Sequence, residues 1–450
     1  MTETRSETRL LTRRNMLAGS VGLAGAALLA GCAGSGGGSA GSGGGNALDV
    51  WDWSPAPDQW GEQQQTTFYS KTFPAQYPHM AFKYTIFGYT DMLPKLTVSW
   101  RGGSVPDVAR LAIAWTPQFV NEGLTAEITP ADLGVPLSNY WPQALQSVRK
   151  NGASSGPLYG IPTNNESMML IYNKDLFKAA GLDPSHGPAT WQELVSYAKT
   201  IRRKTGKYGY GMVAAQNNGN TPYRFCPMMW GYGGSIFDEL SKVPAWHKVG
   251  INSAGTVTAL ELYDQMYNQD KSVQPSALSD QESDIDTLFA KGEVAMMIDH
   301  PNAAAQVHQL QPGLSMGADM IPAGPVRRAS VFGGSNLVIK AGTPNLKSAI
   351  DFIRSYESPS NDTLLSGLGS NPANKAGFSS PAEKTRNTKL LFNDVTLKMM
   401  PYGVNVPLVP QGSQIWNQTI PSMIQNVLTK AMPPKQAAAN AESQIHQIMG

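Results

Sequence analysis

The sequence predicts a mixed α/β protein built as two compact lobes with hinge strands between them. Three observations carry this expectation. Strand-like apolar runs alternate with helix-patterned stretches from residue 47 onward, the order that gives a largely parallel sheet flanked by helices. Residues 159–172 run a polar segment, Thr163-Asn164-Asn165-Glu166-Ser167, straight into the apolar run Met168-Met169-Leu170-Ile171-Tyr172. Residues 330–339 repeat that grammar, with Gly333-Gly334-Ser335-Asn336 running into Leu337-Val338-Ile339. Two such stretches fit strands that cross between lobes. Two edge loops of one large domain are the alternative.

The elements follow in order. Residues 1–31 read as a targeting segment, set aside from the fold. Arg13-Arg14 is a twin-arginine pattern, and the apolar stretch 16–30 is short of the roughly 20 residues of a membrane span. Leu29-Ala30-Gly31-Cys32 matches a bacterial lipobox, with Cys32 as the lipidated residue; an uncleaved short anchor is the other reading. Residues 33–46 are almost all Gly, Ser and Ala, a flexible linker.

The body opens on a strand, Leu48 to Trp53, stopped by Ser54-Pro55-Ala56-Pro57. A helix is expected from Asp58 to about Phe73, a strand over 80–87 and a helix over 90–100 that Gly102-Gly103 breaks. A third strand spans 106–111 and a short helix 115–122. Ligands of such sheets lie at the carboxyl ends of the strands. That rule places Trp53, Asp58, Arg110 and Trp115 near a candidate site, with plain packing or exposure as the alternative for each.

Asn173 and Asp175 can cap a short helix that Gly181 ends. Thr190 and Glu193 form a capping box, and Trp191, Leu194, Val195, Ala198 and Ile201 recur at helical spacing. Residues 208–213 read as a strand. Residues 223–235 gather Tyr223, Arg224, Trp230 and Tyr232 before Gly233-Gly234, either a loop packed on itself or a ligand platform. Helices are expected at 254–267 and 284–290, and a buried strand at 294–298 that leads to Asp299, His300, Pro301 and Asn302. A further helix spans 346–356, and two more, parted by Pro433-Pro434, follow Gly412.

Composition narrows the chemistry. The chain carries 35 Lys+Arg against 33 Asp+Glu, and the excess lies in the targeting segment, so the body is formally neutral. No basic excess remains to hold nucleic acid. With Cys32 lipidated, Cys226 stands alone and no internal disulfide can form. Ten Trp and 16 Tyr beside few charges suit packing cores, and also an uncharged polar ligand whose C–H faces lie on rings. No metal-ligand spacing among the His residues, nucleophile elbow, Walker loop or dinucleotide fingerprint is present. The acids at 280, 282, 284 and 286 depart from a calcium loop, with Ile285 at its sixth position and Lys291 at its twelfth. No cofactor, metal or catalytic residue is expected.

Several pieces in fixed order carry a resemblance. They are Pro106-Asp107-Val108, Gly123-Leu124-Thr125-Ala126-Glu127-Ile128 and Ile161-Pro162 through Leu176. Thr190-Trp191-Gln192-Glu193-Leu194, Phe289-Ala290-Lys291-Gly292-Glu293-Val294-Ala295-Met296 and residues 333–339 complete the set. Over most of residues 47–450 the chain resembles the bacterial extracytoplasmic solute-binding proteins of carbohydrate ABC importers, which include the maltose-binding proteins.

That resemblance implies a two-lobed periplasmic-binding-protein fold with a mostly parallel sheet in each lobe. The first lobe would comprise 47–165 and 333–405, the second 166–332 and 406–450, with a third crossing near 404–410. It implies a monomeric receptor, lipid-anchored outside the cell membrane, that captures a mono- to oligosaccharide and passes it to a membrane permease. Glu166 falls where a carboxylate meets sugar hydroxyls, Tyr223 where a ring stacks, Arg110 and Trp115 in the loop of first-lobe contacts, and Trp416 near the last aromatic. Asn164, Asn165, Asp299, Gly334, Ser335 and Asn336 lie at or beside the crossings, and Arg224 and Trp230 complete the expected set. The family's usual Gly-Pro-Trp reads His300-Pro301-Asn302 here, so an amide replaces a stacking ring. A non-sugar solute such as a glycerophosphodiester is the runner-up, and would want Arg110 or Arg224 in the cleft. A secreted glycan hydrolase, needing two facing carboxylates, is the reading from another class.

Overall fold

The computed structural model describes residues 47–53, 59–240 and 246–450. The twin-arginine segment, Cys32, the Gly/Ser linker, Ser54–Pro57 and Asp58 lie outside the described residues.

Among the described residues ten strands form two sheets. They are β1 (Leu48–Trp53), β2 (Phe82–Phe87), β3 (Val108–Ala112), β4 (Ile161–Glu166), β5 (Met169–Asn173), β6 (Met296–Asp299), β7 (Met316–Asp319), β8 (Ser330–Ile339), β9 (Asn371–Pro372) and β10 (Gly403–Asn405). The larger sheet runs β2-β1-β3-β8-β4-β9, with β10 on β8; the smaller runs β6-β5-β7. The expected parallel pairing holds at β1–β2 and β1–β3. β8 then enters antiparallel between β3 and β4, and β5 pairs antiparallel with both its neighbours.

Alternation along the strands explains why both faces are covered. In β1, Leu48 and Val50 enter one core with Phe68, Phe73 and Phe352, while Trp53 enters another with Met92, Leu96 and Trp100. β3 does the same, Val108 to the first core and Ala109 and Leu111 to the second. In the smaller sheet Leu170 and Tyr172 join the core of Trp191 and Trp230, and Met169 and Ile171 that of Phe289 and Val307. The apolar run 168–172 is thus a strand buried on both faces, as its pattern predicts.

β8 divides between cores. Val331 and Phe332 belong with Met400, Val406 and Leu408, whereas Leu337 and Ile339 belong with Val108 and Ile161. β4 and β5 repeat this: Ile161 lies in one core and Met168 in the other. The chain therefore passes from one core to the other at both polar-to-apolar stretches.

The helix Trp191–Thr205 starts at the predicted capping box, with Thr190 Oγ1 accepting from Glu193 N at 3.2 Å and Glu193 Oε2 accepting from Thr190 N at 3.2 Å. Two expectations fail. Residues 208–213 make only isolated bridges, Tyr208 to Val294 and Tyr210 to Val273. Gly209 lies so close to the Ala198 backbone that a Cβ would stand 2.6 Å from its carbonyl carbon, and the segment is wedged between elements rather than laddered. Residues 223–231 belong to the helix Asn220–Gly231 rather than a loop. Ten of that helix's residues are buried, so apolar packing sets its conformation.

Candidate ligand-binding site

Three rings stand just past the carboxyl ends of three parallel strands. Trp53 ends β1, Tyr89 follows β2 at the start of the helix Tyr89–Arg101, and Trp115 follows β3. Centroid distances are 5.1 Å for Trp53–Tyr89, 6.3 Å for Trp53–Trp115 and 4.6 Å for Tyr89–Trp115. Trp53 and Trp115 are buried, and Tyr89 is 44% exposed.

A second ring group faces these. Tyr223 on the helix Asn220–Gly231 lies 5.7 Å from His300 and 5.6 Å from Trp416. Trp416 donates its Nε1–H to Gly219 O at 3.0 Å. Glu166, the last residue of β4, stands between the groups. Tyr223 is its hydrogen-bond partner, and both Tyr89 and His300 lie within its electrostatic reach. Burial pushes the Glu166 carboxyl up, His300 and Arg110 oppose, and Glu282 adds to the rise. Gly333 pairs with Glu166 in the sheet register. A Cβ there would stand 2.7 Å from Glu166 Oε2 and closer still to the Tyr223 hydroxyl, so only glycine leaves room for the pair to meet over β8.

The two candidate arginines are both engaged internally. Arg110 is ion-paired with Asp52, donates to Trp53 O at 2.5 Å and lies 4.1 Å from the Trp53 ring centroid. Asp52 also accepts from Gln65 at 2.8 Å and Tyr69 at 2.7 Å. Arg224 binds Asp299 at 2.7 Å and Glu282 at 3.0 Å. Asp286 is nearby, so three acids share one base. Burial and the neighbouring acids push Asp286 up to about 9, and burial pushes Asp299 up to about 7. Glu282 goes down, because Arg224 and His300 outweigh its burial. Glu282, Asp299 and His300 could bring three ligand atoms within 4.8 Å of one another for a cation, but Arg224 already stands on both carboxylates.

Several expected ligand contacts bond within the protein. Asn164 donates to Ser370 at 2.6 Å and accepts from Ser335. Asn336 donates to Thr116 at 2.9 Å and accepts from Ser147 at 3.2 Å. Asn165 donates to the Asn164 carbonyl at 2.9 Å and is fully buried. The Gly334 carbonyl accepts from Ile113 N at 3.0 Å. Most of these groups bond to protein, because an unmet buried amide is costly, but Asn165 Oδ1 has no partner. Trp230 is fully buried, with its Nε1–H on Glu239 at 2.8 Å. Asn302 is 8% exposed and backs onto Gly369, its Oδ1 lacking a partner. Of the expected residues, Trp53, Trp115, Glu166, Tyr223 and Trp416 converge, with Arg110, Arg224 and Asp299 behind them.

Tyr89, His300, Glu282 and Gly333 also stand at this junction, and the sequence reading does not single them out. The strand-end rule reaches Tyr89, two residues past β2. Glu282 reads in sequence as a helix N-terminal acid, and nothing local reveals its partner 58 residues away.

Two sheets flanked by helices, with the chain passing between their cores over residues 161–168 and 331–337, match the periplasmic-binding-protein fold. The chain belongs to the bacterial extracellular solute-binding protein family, whose model matches residues 60–363. A Brucella abortus (strain 2308) protein named only as a binding protein is 28% identical over 270 residues, 60% of this chain and 62% of that relative. The chain thus spans about three-fifths of that relative's length. A solute-binding protein from Thermotoga lettingae bound with α-D-tagatose is 25% identical, at TM-score 0.72 over 90% of this chain and 100% of that one. The maltose-bound MalE3 of T. maritima is 24% identical, at TM-score 0.74 over 89% and 100%. UgpB from Mycobacterium tuberculosis in complex with glycerophosphocholine is 21% identical, at TM-score 0.74 over 90% and 99%. The last two are alike in fold. Among the described residues no helix is long and apolar enough to cross a membrane.

Proposed function

We propose that this chain is the substrate-binding lipoprotein of a carbohydrate ABC importer. It acts as a monomer tethered through lipid on Cys32, captures a sugar and presents the closed form to a permease. The lobes are 47–165 with 333–405, and 166–332 with 406–450. Ligand closes them because it touches both only when the cleft is shut. The observation that carries this reading is the Glu166 carboxyl, hydrogen-bonded to Tyr223, standing between two groups of rings. A sugar ring would lie on Tyr89 and Tyr223, and its hydroxyls would meet Glu166 and His300.

Charge weighs against the runner-up. A glycerophosphodiester would gain from a free cation, and Arg110 and Arg224 are 3% and 1% exposed and ion-paired. Hydrolysis needs a second free carboxylate opposite Glu166, and Glu282 is clamped by Arg224.

Calorimetry with a panel of neutral oligosaccharides and glycerophosphodiesters tests the proposal. Stoichiometric binding of an unchanged sugar supports it, with a loss of at least tenfold in affinity for Glu166→Ala and for Tyr223→Ala. Product formation, binding of the phosphodiesters alone, or unaltered affinity in both variants would overturn it.

A further inference from the structure

Resting on that binding reading, we propose that the preferred ligand is a basic sugar, one carrying a protonated amine that sits on the Glu166 carboxylate among the rings. Three observations converge.

The first is the charge around Glu166. The groups that act on it are Tyr223, His300, Arg110 and Glu282. Arg110 points away into the Asp52 pair, and Arg224 sits beneath Asp299 and Glu282. What remains on the accessible side is Glu166, His300 and part of Glu282, with a quarter of its side chain exposed. Two carboxylates therefore stand at the open face against one imidazole.

The second is the surround. The Tyr89 ring is accessible, packs at 4.6 Å on Trp115 and lies within electrostatic reach of both Glu166 and Tyr223. A cation beside a carboxylate and the rings of Tyr89 and Tyr223 gains from the ring quadrupoles as well as the charge. A neutral hydroxyl gains only the hydrogen bond.

The third is the state of the carboxyl. Burial pushes Glu166 up, Tyr223 is its hydrogen-bond partner, His300 is the base that acts on it most, and Gly333 leaves it room. A neutral sugar adds only hydrogen bonds there, whereas an ammonium favours the charged carboxylate.

The experiment compares matched disaccharides by calorimetry at pH 6: the β-1,4 dimer of glucosamine, its N-acetylated form and cellobiose. The aminated dimer is expected to bind at least tenfold more tightly than either neutral form. Glu166→Gln should bring the ratio of aminated to neutral affinities close to one, and Tyr89→Leu should reduce it at least threefold. Thermal melts of both variants confirm folding, and the ratio is read within one protein, so partial misfolding does not alter it. If a neutral disaccharide, or a neutral sugar of the wider panel, binds as tightly as the aminated dimer, the amine inference falls and the receptor reading stands. If the ratio survives Glu166→Gln, the amine inference falls as well. If no sugar binds, charged or neutral, both readings fall.

Discussion

The two faces of the site solve the same problem differently. On the strand-end face, Arg110 meets one acid, Asp52, whose other lone pairs are filled by Gln65 and Tyr69. On the opposite face, Arg224 meets Asp299 and Glu282 with Asp286 close behind. One base against one acid makes a fixed strut under the Trp53 ring. One base against three acids makes a cluster that must hold protons to remain buried. Both arginines sit where an anion would want them, and neither is free. Their difference lies in how each face responds to pH.

The largest expected effect comes from removing the bases. Arg224→Met should destabilise by about 3–5 kcal/mol, because it strands buried acids, and Arg110→Met by a similar or smaller amount. Urea titrations at pH 6 and pH 9 separate the two. The loss in Arg224→Met should grow at the higher pH as its acids ionise without a partner, while that in Arg110→Met stays level. Equal pH dependence in both would erase the contrast.

A smaller effect isolates the cluster's protons. Asp286 and Asp299 have folded values pushed up to about 9 and about 7 by burial, above the roughly 3.9 of an unfolded aspartate. Between those limits the native state holds more protons than the unfolded chain, so stability falls as pH rises. Asp286→Asn should flatten that fall between pH 5 and pH 9. A slope unchanged by the substitution would place the titration elsewhere.

The smallest expected change in stability sharpens the strand-end face. Tyr89 is 44% exposed, so Tyr89→Ala should cost under about 1 kcal/mol in a thermal melt, against about 3–5 kcal/mol for buried Trp115→Ala. Ligand affinity should nevertheless fall in Tyr89→Ala. If it does not, the ring lies outside the site.

Much of the fold is legible where local pattern and environment agree. The run 168–172 is apolar throughout because its strand is buried on both faces, and Thr190 with Glu193 marks a helix start that needs no tertiary partner. The segment 357–402 shows the opposite. It holds the short helices Pro359–Leu365, Pro381–Asn387 and Asn393–Met399, each too short to display a helical period. Residues 208–213 alternate like a strand, yet packing against Ala198 denies them a ladder.

The site divides along the same line. The strand pattern alone places Trp53 and Trp115 at strand ends, since the direction of a parallel strand fixes where its carboxyl end points. It also marks Glu166 at the end of a polar run entering a buried strand. Which polar groups stay open to a ligand depends on contacts made across the fold. Asn164, Ser335 and Asn336 are consumed between β4, β8 and the helix after β3, and Arg110 and Arg224 by acids 58 and 75 residues away. A side chain's type states which bonds it can make, but its partner across the fold decides which of them remain open.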